Sequence, residues 1–524
     1  MNAIDAGQQF EKFVWLGIIM LGAIVVGALL AQGLSELVLL VGLGLWLLLL
    51  PYHASLATIV AVATFNSALI MPLPGRPYWW EAAAVMGWTG IVITIALRRS
   101  SRETAAIINR NGWMLFGMMI YCLNLIVIMK FRGVGFRIFG GGQIGGRLYV
   151  QQLLCSVFPL LFAIKAPSEA LMVRLFSWQC ILAGSFLVSD FVFSFGGTSV
   201  FGLLYLFELP NDGFNFENQS AHHGIRRFQS LFLVGQAMIL LLLTFRSMSD
   251  FARARSAWLW PVALSLLGLG TLGGHRYLIV FLGILFVVCA WSQRFFTMQR
   301  VIVASLATAV TLVCLYTFAG SLPFAAQRAV SVLPGIEVSR VARDDGDVTW
   351  RGRQELRRLG WEMAPAYRLL GRGFRKNESL GGGYDPFAGV REPDTFFNGF
   401  IGLLVNTGWP GTGSMMIFLA AGCLCSLRII RMLRTLPEYD SFDRLCSVIS
   451  AHFIASTLIF IFLHGDSEFG LRSFALPAGM LIVAEHRLRL RLRLRLELAA
   501  QAPSSPPESA PGPALIPSRE PLPA

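Results

Sequence analysis

Arginine is the residue type whose positions in this chain could do chemistry. Arg226 and Arg227 stand just before the apolar run that opens at Leu231, and Arg276 follows Gly273, Gly274 and His275 just before another run at Tyr277. A third set lies in the polar stretch from Ala319 to Thr395, where arginines recur from Arg328 to Arg391 and Lys376 is the single lysine. The planar guanidinium fork grips phosphate or diphosphate oxygens in pairs, which a lysine ammonium cannot do. A GC-rich coding bias would also favour arginine, and an arginine at a span edge commonly snorkels to the interface. The positions are more telling than the composition. With Arg353, the two boundary sets put three cationic sites at one membrane surface, a seat for a lipid-linked diphosphate.

Other groupings are weaker. Gly140, Gly142 and Gly145 have dinucleotide-loop spacing, but both neighbouring segments are membrane spans and no strand precedes them, so that reading is rejected. Asp344, Asp345 and Asp347 could gather a divalent ion, yet three carboxylates in a polar loop read first as solvated. His222 and His223 lack a third nearby ligand. Neither a metal nor a cofactor is expected.

The elements that must hold these residues are membrane helices. The chain has 524 residues, 55% hydrophobic and 14% charged, so lipid is its main solvent. The formal charge of +13 sits mostly in short connections, where it orients spans and does not imply nucleic acid. The eight cysteines fall in or beside apolar runs, and none lies in the long polar stretch; they read as small hydrophobes. Met1 to Lys12 precedes an apolar run with no convincing cleavage site, which reads as a retained anchor.

Apolar runs from Phe13–Leu30 to Phe469–Ala484 make the expected fold all-α: a polytopic membrane bundle of about fourteen transmembrane helices, or about twelve if the shortest are discounted. With the N-terminus inside, the connections carrying Arg98 to Arg110, Arg246 to Arg255, Arg294 to Arg300 and Arg428 to Arg444 fall on the cytoplasmic side. So does the Arg/Leu run from Arg487 to Leu496. Lys130, Arg132, Arg137 and Arg147 break this rule by flanking a Gly-rich segment placed outside, for a ligand or through a miscount of spans. Residues 1–485 thus form the membrane domain, with extracytoplasmic loops at 189–229 and 319–397. Residues 486–524 form a cytoplasmic Arg/Leu run and a disordered Pro/Ser/Ala tail.

Two stretches carry a family resemblance: GRQELRRLGWEMAPAYRLLGRGF from Gly352 to Phe374, and PDTFFNGFIGLLVNTGWPG from Pro393 to Gly411. Together they resemble the signature of the O-antigen polymerase and ligase superfamily (Wzy-like). There a Gly-Arg pair opens an amphipathic loop helix, a Gly-x-Gly turn ends it, and a His-Asn pair introduces a span with Gly-x-x-Gly. Gly352 and Arg353, Gly371 and Gly373, and Asn398, Gly408 and Gly411 match these in turn. RRFQSLF with Arg227 and GGHRYLIVFLG with Arg276 are similar to the family's two other arginine motifs. The resemblance covers about Ser220 to Leu424. It departs at Phe397, where the family has its histidine, and this favours the polymerase branch.

The resemblance implies a bacterial inner-membrane glycosyltransferase that moves a polyprenyl-diphosphate-linked oligosaccharide onto a lipid-linked repeat unit, in an exopolysaccharide or O-antigen pathway. A flippase and a chain-length regulator would be its partners. Arg227, Arg276 and Arg353 would stabilise the leaving diphosphate. Asp394 and Glu355 are candidates to accept the acceptor proton. Arg226, Arg351, Arg357 and Asn398 would bind substrate, Asn398 alternatively capping the next span. Ligation of finished polymer to a lipid core, or a transporter or flippase, are the alternative functions.

Overall fold

The structure, a computed structural model, describes residues 35–73, 76–97, 102–134, 143–144, 146–195, 206–208, 229–256, 258–273, 277–331, 333–374, 376–377 and 395–501. The first apolar run, the anchor it was read as, and His222 and His223 lie outside them. The helices are α1 (Ser35–Leu48), α2 (His53–Thr64), α3 (Trp79–Ala96), α4 (Arg102–Arg110), α5 (Gly112–Arg132), α6 (Gly146–Cys155), α7 (Val157–Ile164), α8 (Glu169–Leu182) and α9 (Ser185–Phe195). They continue with α10 (Gln229–Phe245), α11 (Leu259–Thr271), α12 (Tyr277–Ser292), α13 (Met298–Phe318), α14 (Phe324–Val330), α15 (Arg340–Met363), α16 (Gly399–Leu433), α17 (Ser441–Leu458) and α18 (Gly470–Gln501). A two-residue ladder pairs β1 (Gln143–Ile144) with β2 (Lys376–Asn377), Gln143 opposite Asn377.

In lipid a backbone must satisfy its own N–H and C=O groups, which is why the apolar runs are helical. Six helical segments among the described residues are long and apolar enough to cross a membrane: Trp79–Ala96, Gly112–Arg132, Gly146–Ile164, Glu169–Val192, Gly399–Leu433 and Ser441–Leu463. The bent pair Leu40–Leu48 and His53–Thr64 makes a seventh if it is one span, and four shorter apolar helices accompany them. The chain is therefore an all-α, multi-pass membrane protein.

Its core lies between α5, α16, α17 and α18, where Tyr121, Phe418, Phe453 and Phe474 are buried. Small residues let these helices close up: Gly117 of α5 lies against the Phe418 backbone, and Gly422 of α16 against the Phe453 ring. All eight cysteines are free; six are buried, Cys423 is half-buried and Cys314 on α13 is exposed.

Contacts between helix ends sort the connections into two groups. Arg428 donates to Asn111 (3.4 Å), Arg444 to the Thr244 carbonyl (3.1 Å) and Tyr439 to the Ser292 carbonyl (3.1 Å). These bonds gather the connections expected to share a face, together with the Arg/Leu run, at one end of the bundle. There Glu485, fully buried, meets Arg428 at 2.9 Å and Arg489 at 2.7 Å.

The strict alternation of Arg and Leu suits a strand by itself, yet α18 continues through it without a break across the boundary drawn at 485. On a helix the arginines fan around the axis, and each of the first three finds an acceptor. Arg487 donates to the Ala166 carbonyl (3.2 Å), Arg489 pairs with Glu485, and Arg491 pairs with Glu169 and with Asp440 (2.7 Å).

Removing one side of a buried ion pair costs about 3–5 kcal/mol. The cost at Glu485 falls below that, because the side chains of Arg428 and Arg489 are 36% and 33% exposed. Glu485→Gln is expected to lower the thermal unfolding midpoint in detergent by several degrees; an unchanged midpoint would mean that this end is not held by the Glu485 charge.

Candidate functional site

The opposite end of the bundle carries α15 and the turn that follows it, and its geometry starts from a break in α16. Gly408 has φ +67° inside this helix, and Pro410 follows it without an N–H. In a continuous helix the Trp409 N–H would bond Val405 and the N–H of residue 410 would bond Asn406. Instead Trp409 donates to the Arg368 carbonyl (2.8 Å), and the Val405 and Asn406 carbonyls accept from the N–H groups of Arg372 (2.7 Å) and Gly373 (2.9 Å). The loop thus completes the hydrogen bonding that the broken helix lacks.

Gly371 and Gly373, at φ +72° and +85°, let it approach that closely. A Cβ on the first would overlap the Asn406 backbone, and one on the second the Tyr149 hydroxyl. Tyr149 accepts from the Phe374 N–H (2.8 Å), and Arg132 donates to the Gly371 carbonyl (3.0 Å) while lying over the Tyr367 ring. Two of the arginines that break the charge rule therefore have work within the fold. Arg132 clamps this turn, and Arg147 covers Tyr78 and faces Glu81 at 3.5 Å; Arg137 lies outside the described residues.

The clipped turn positions α15. Ser339 caps that helix by accepting from the Ala342 N–H (3.3 Å), so Gly352 and Arg353 lie in its interior and do not open it as the resemblance implies. Asp345 is not solvated: it is buried in an ion pair with Arg328, which also donates to Thr349 (3.0 Å). Asp344 is exposed beside Arg340 (3.8 Å), and Asp347 is exposed.

On α15, Arg353 and Arg357 are about 40° apart around the axis, whereas Arg351 and Glu355 lie about 200° from Arg353. The helix accordingly turns Arg353 and Arg357 toward the bundle and leaves Arg351 and Glu355 exposed. Arg358 pairs with Glu355 and holds its carboxyl below the usual carboxylate range, which weakens it as a proton acceptor. Arg357 donates to the carbonyls of Leu463 (2.6 Å) and Phe397 (3.3 Å). The Arg353 guanidinium sits 5.0 Å from the Phe397 ring centroid, within cation–π range.

Phe397 is held at φ +47°, a conformation a bulky residue adopts only under constraint and one that clusters at functional positions. Asn398 beside it fills the capping role: it accepts from the Ile401 N–H (3.0 Å) and donates to the Ile461 carbonyl (3.0 Å). Ile461 belongs to a π-helical turn, Ile459–Leu463, that ends the span begun by α17. Directly after it, His464 stacks on Tyr277 (centroids 4.7 Å, planes 22°) and on Phe397 (6.1 Å, 20°). The connector that carries His464 is pinned by buried polar bonds. Asn406 donates to Ser467 (2.8 Å), and Gln152 donates to the Ser467 carbonyl (3.2 Å) while accepting from Tyr121 (2.6 Å).

Arg226, Arg227, Arg276 and Asp394 lie outside the described residues. The helices that follow the three arginines begin at this end of the bundle: Phe232 of α10 packs edge-on against Tyr277 of α12 at 4.9 Å, and Tyr277 stacks on His464. Sequence reasoning missed His464 and Tyr277. The available signal was the polar insert from His464 to Glu468 between two apolar runs, too short to attract notice as a loop. No protein-family model matches the chain, and no curated protein matches it.

Gly371→Ala is expected to undock the turn, because it adds left-handed strain and a steric overlap at once, together about 1–3 kcal/mol. Limited proteolysis of membrane-embedded protein would show faster cleavage between Ala364 and Phe374; cleavage at the wild-type rate would contradict the clip.

Proposed function

We propose that this chain is a polysaccharide polymerase that transfers a polyprenyl-diphosphate-linked glycan onto a lipid-linked repeat unit at the outer face of a bacterial inner membrane. In this reading about fourteen spans place both termini in the cytoplasm and the 319–397 loop outside. One observation carries it: α15 presents Arg353 and Arg357 on one face, above Phe397, at the bundle end where the helices after Arg226–Arg227 and Arg276 begin.

The chemistry asked of such a site is modest. The leaving group is already a diphosphate, so the main demand is a fixed cation where its negative charge grows, in surroundings that exclude much of the water. Arg357, anchored on two carbonyls, sets the local geometry, and the Arg353 guanidinium lies over the Phe397 ring. Arg351 and Glu355, on the exposed side of α15, are less suited to touch the same group.

The test is complementation of a strain lacking this protein, comparing wild type with Arg353→Ala and Arg353→Lys variants that insert at normal levels. Loss of one preorganised donor costs about 10²–10³ in rate, so both variants are expected to give little long polymer and to accumulate single repeat units. Polymer of wild-type length from Arg353→Ala would overturn the assignment. Loss of capped lipid core with unaltered chain length would indicate ligation instead.

A further inference from the structure

Resting on that polymerase reading, we infer that His464 takes the proton of the attacking sugar hydroxyl. His464 is at the loop end of the bundle, directly after the π-helical turn, and its backbone N–H is bonded to the Ile459 carbonyl (2.8 Å). Stacking against Tyr277 and Phe397 with planes within 22° and 20° fixes the ring orientation. The ring nitrogens lie on the edge of the aromatic stack with Nδ1 buried, so the hydroxyl comes to Nε2, in the ring plane.

The cation that would hold the diphosphate is next to this stack. Arg353 lies over Phe397, the ring that stacks on His464. Arg357 donates to the carbonyls of Leu463 and Phe397, the residue before the histidine and the ring stacked on it. The contacts between α15 and the His464 connector therefore bring a phosphate-binding cation and a proton acceptor to the same aromatic cluster. The titratable group stacked on the imidazole is Tyr277 from α12; around the same ring cluster stand Arg353 over Phe397 and Arg357 on the Leu463 and Phe397 carbonyls, both from α15, with Asp466 two residues along the connector.

The other described imidazoles lie away from this cluster. His53 is bonded to Thr89 and the Trp46 carbonyl, His452 is packed against Phe281, and His486 is paired with Glu103 at the opposite end. Glu355 is exposed on the far side of α15 and tied to Arg358.

The step balances without a co-reactant. The acceptor oxygen forms a bond to the anomeric carbon as that carbon's bond to the diphosphate oxygen breaks. The bonding pair leaves on the diphosphate, and the hydroxyl proton passes to Nε2 of His464 and from there to water.

The experiment compares four forms of the full chain in the deletion strain, with membrane insertion checked for each: wild type, His464→Gln, His464→Ala and Arg353→Ala. A positioned general base contributes about 10²–10⁴-fold, so His464→Gln and His464→Ala are each expected to reduce polymer at least about 100-fold. Added imidazole is expected to restore part of the activity of His464→Ala in membrane vesicles, which a merely misfolded variant would not show. Wild-type polymer from His464→Gln with none from Arg353→Ala overturns the role of the histidine and leaves the polymerase reading standing. Loss in His464→Ala with full activity in His464→Gln also overturns it, since shape alone would then suffice. Full activity in both His464→Gln and Arg353→Ala removes the polymerase site itself.

Discussion

A helix that breaks inside a packed bundle leaves buried carbonyls that solvent cannot reach, and the rest of this site follows from how they are satisfied. Each unpaired group in that setting costs several kcal/mol. Gly408 turns the α16 backbone away from helical geometry and Pro410 removes a donor, so the Val405 and Asn406 carbonyls need partners from elsewhere. The N–H groups of Arg372 and Gly373 supply them. The arginine-bearing loop is thereby fixed to the helical scaffold through its main chain, independently of its charged side chains.

That separation of duties explains the distribution of strain and charge. Four residues at positive φ, Gly371, Gly373, Gly408 and Phe397, lie where loop and helix interlock. Three are glycines, which bear the conformation at little steric cost; Phe397 bears it without that freedom and sits under Arg353. At the opposite end, Glu485 and the carboxylates around Arg491 tie α16, α17, α8 and the C-terminal helix together by ion pairs. Ion pairs tie the helices together at that end, and at the loop end main-chain hydrogen bonds hold the segment that carries Arg353 over Phe397.

Much of the framework was legible in the sequence because it depends on local chemistry. Apolar length gives helices, and the connections near Arg110, Thr244, Ser292 and Arg428, which arginine bias groups on one side, meet at one end of the bundle. The glycines at 371, 373, 408 and 411 could be singled out by pattern, but their reason is tertiary: each meets a neighbouring backbone or side chain that only the folded chain brings near. The start of α15 was misplaced because the motif drew attention to Gly352, while the cap at Ser339 governs where the helix begins. Asp345 was taken as solvated because nothing local reveals the buried Arg328. His464 and Tyr277 escaped notice for the same reason: they are far apart in sequence, and only the fold stacks one on the other.

The most direct test of this account is hydrogen exchange of the Arg372 and Gly373 amides in lipid nanodiscs. If these amides complete the broken helix, they exchange on the order of 10³-fold more slowly than an open loop, and the protection disappears when Gly371 is replaced by alanine. Exchange at open-loop rates in the wild-type protein would show that the loop is not held by α16, and the placement of Arg353 above Phe397 would lose its foundation.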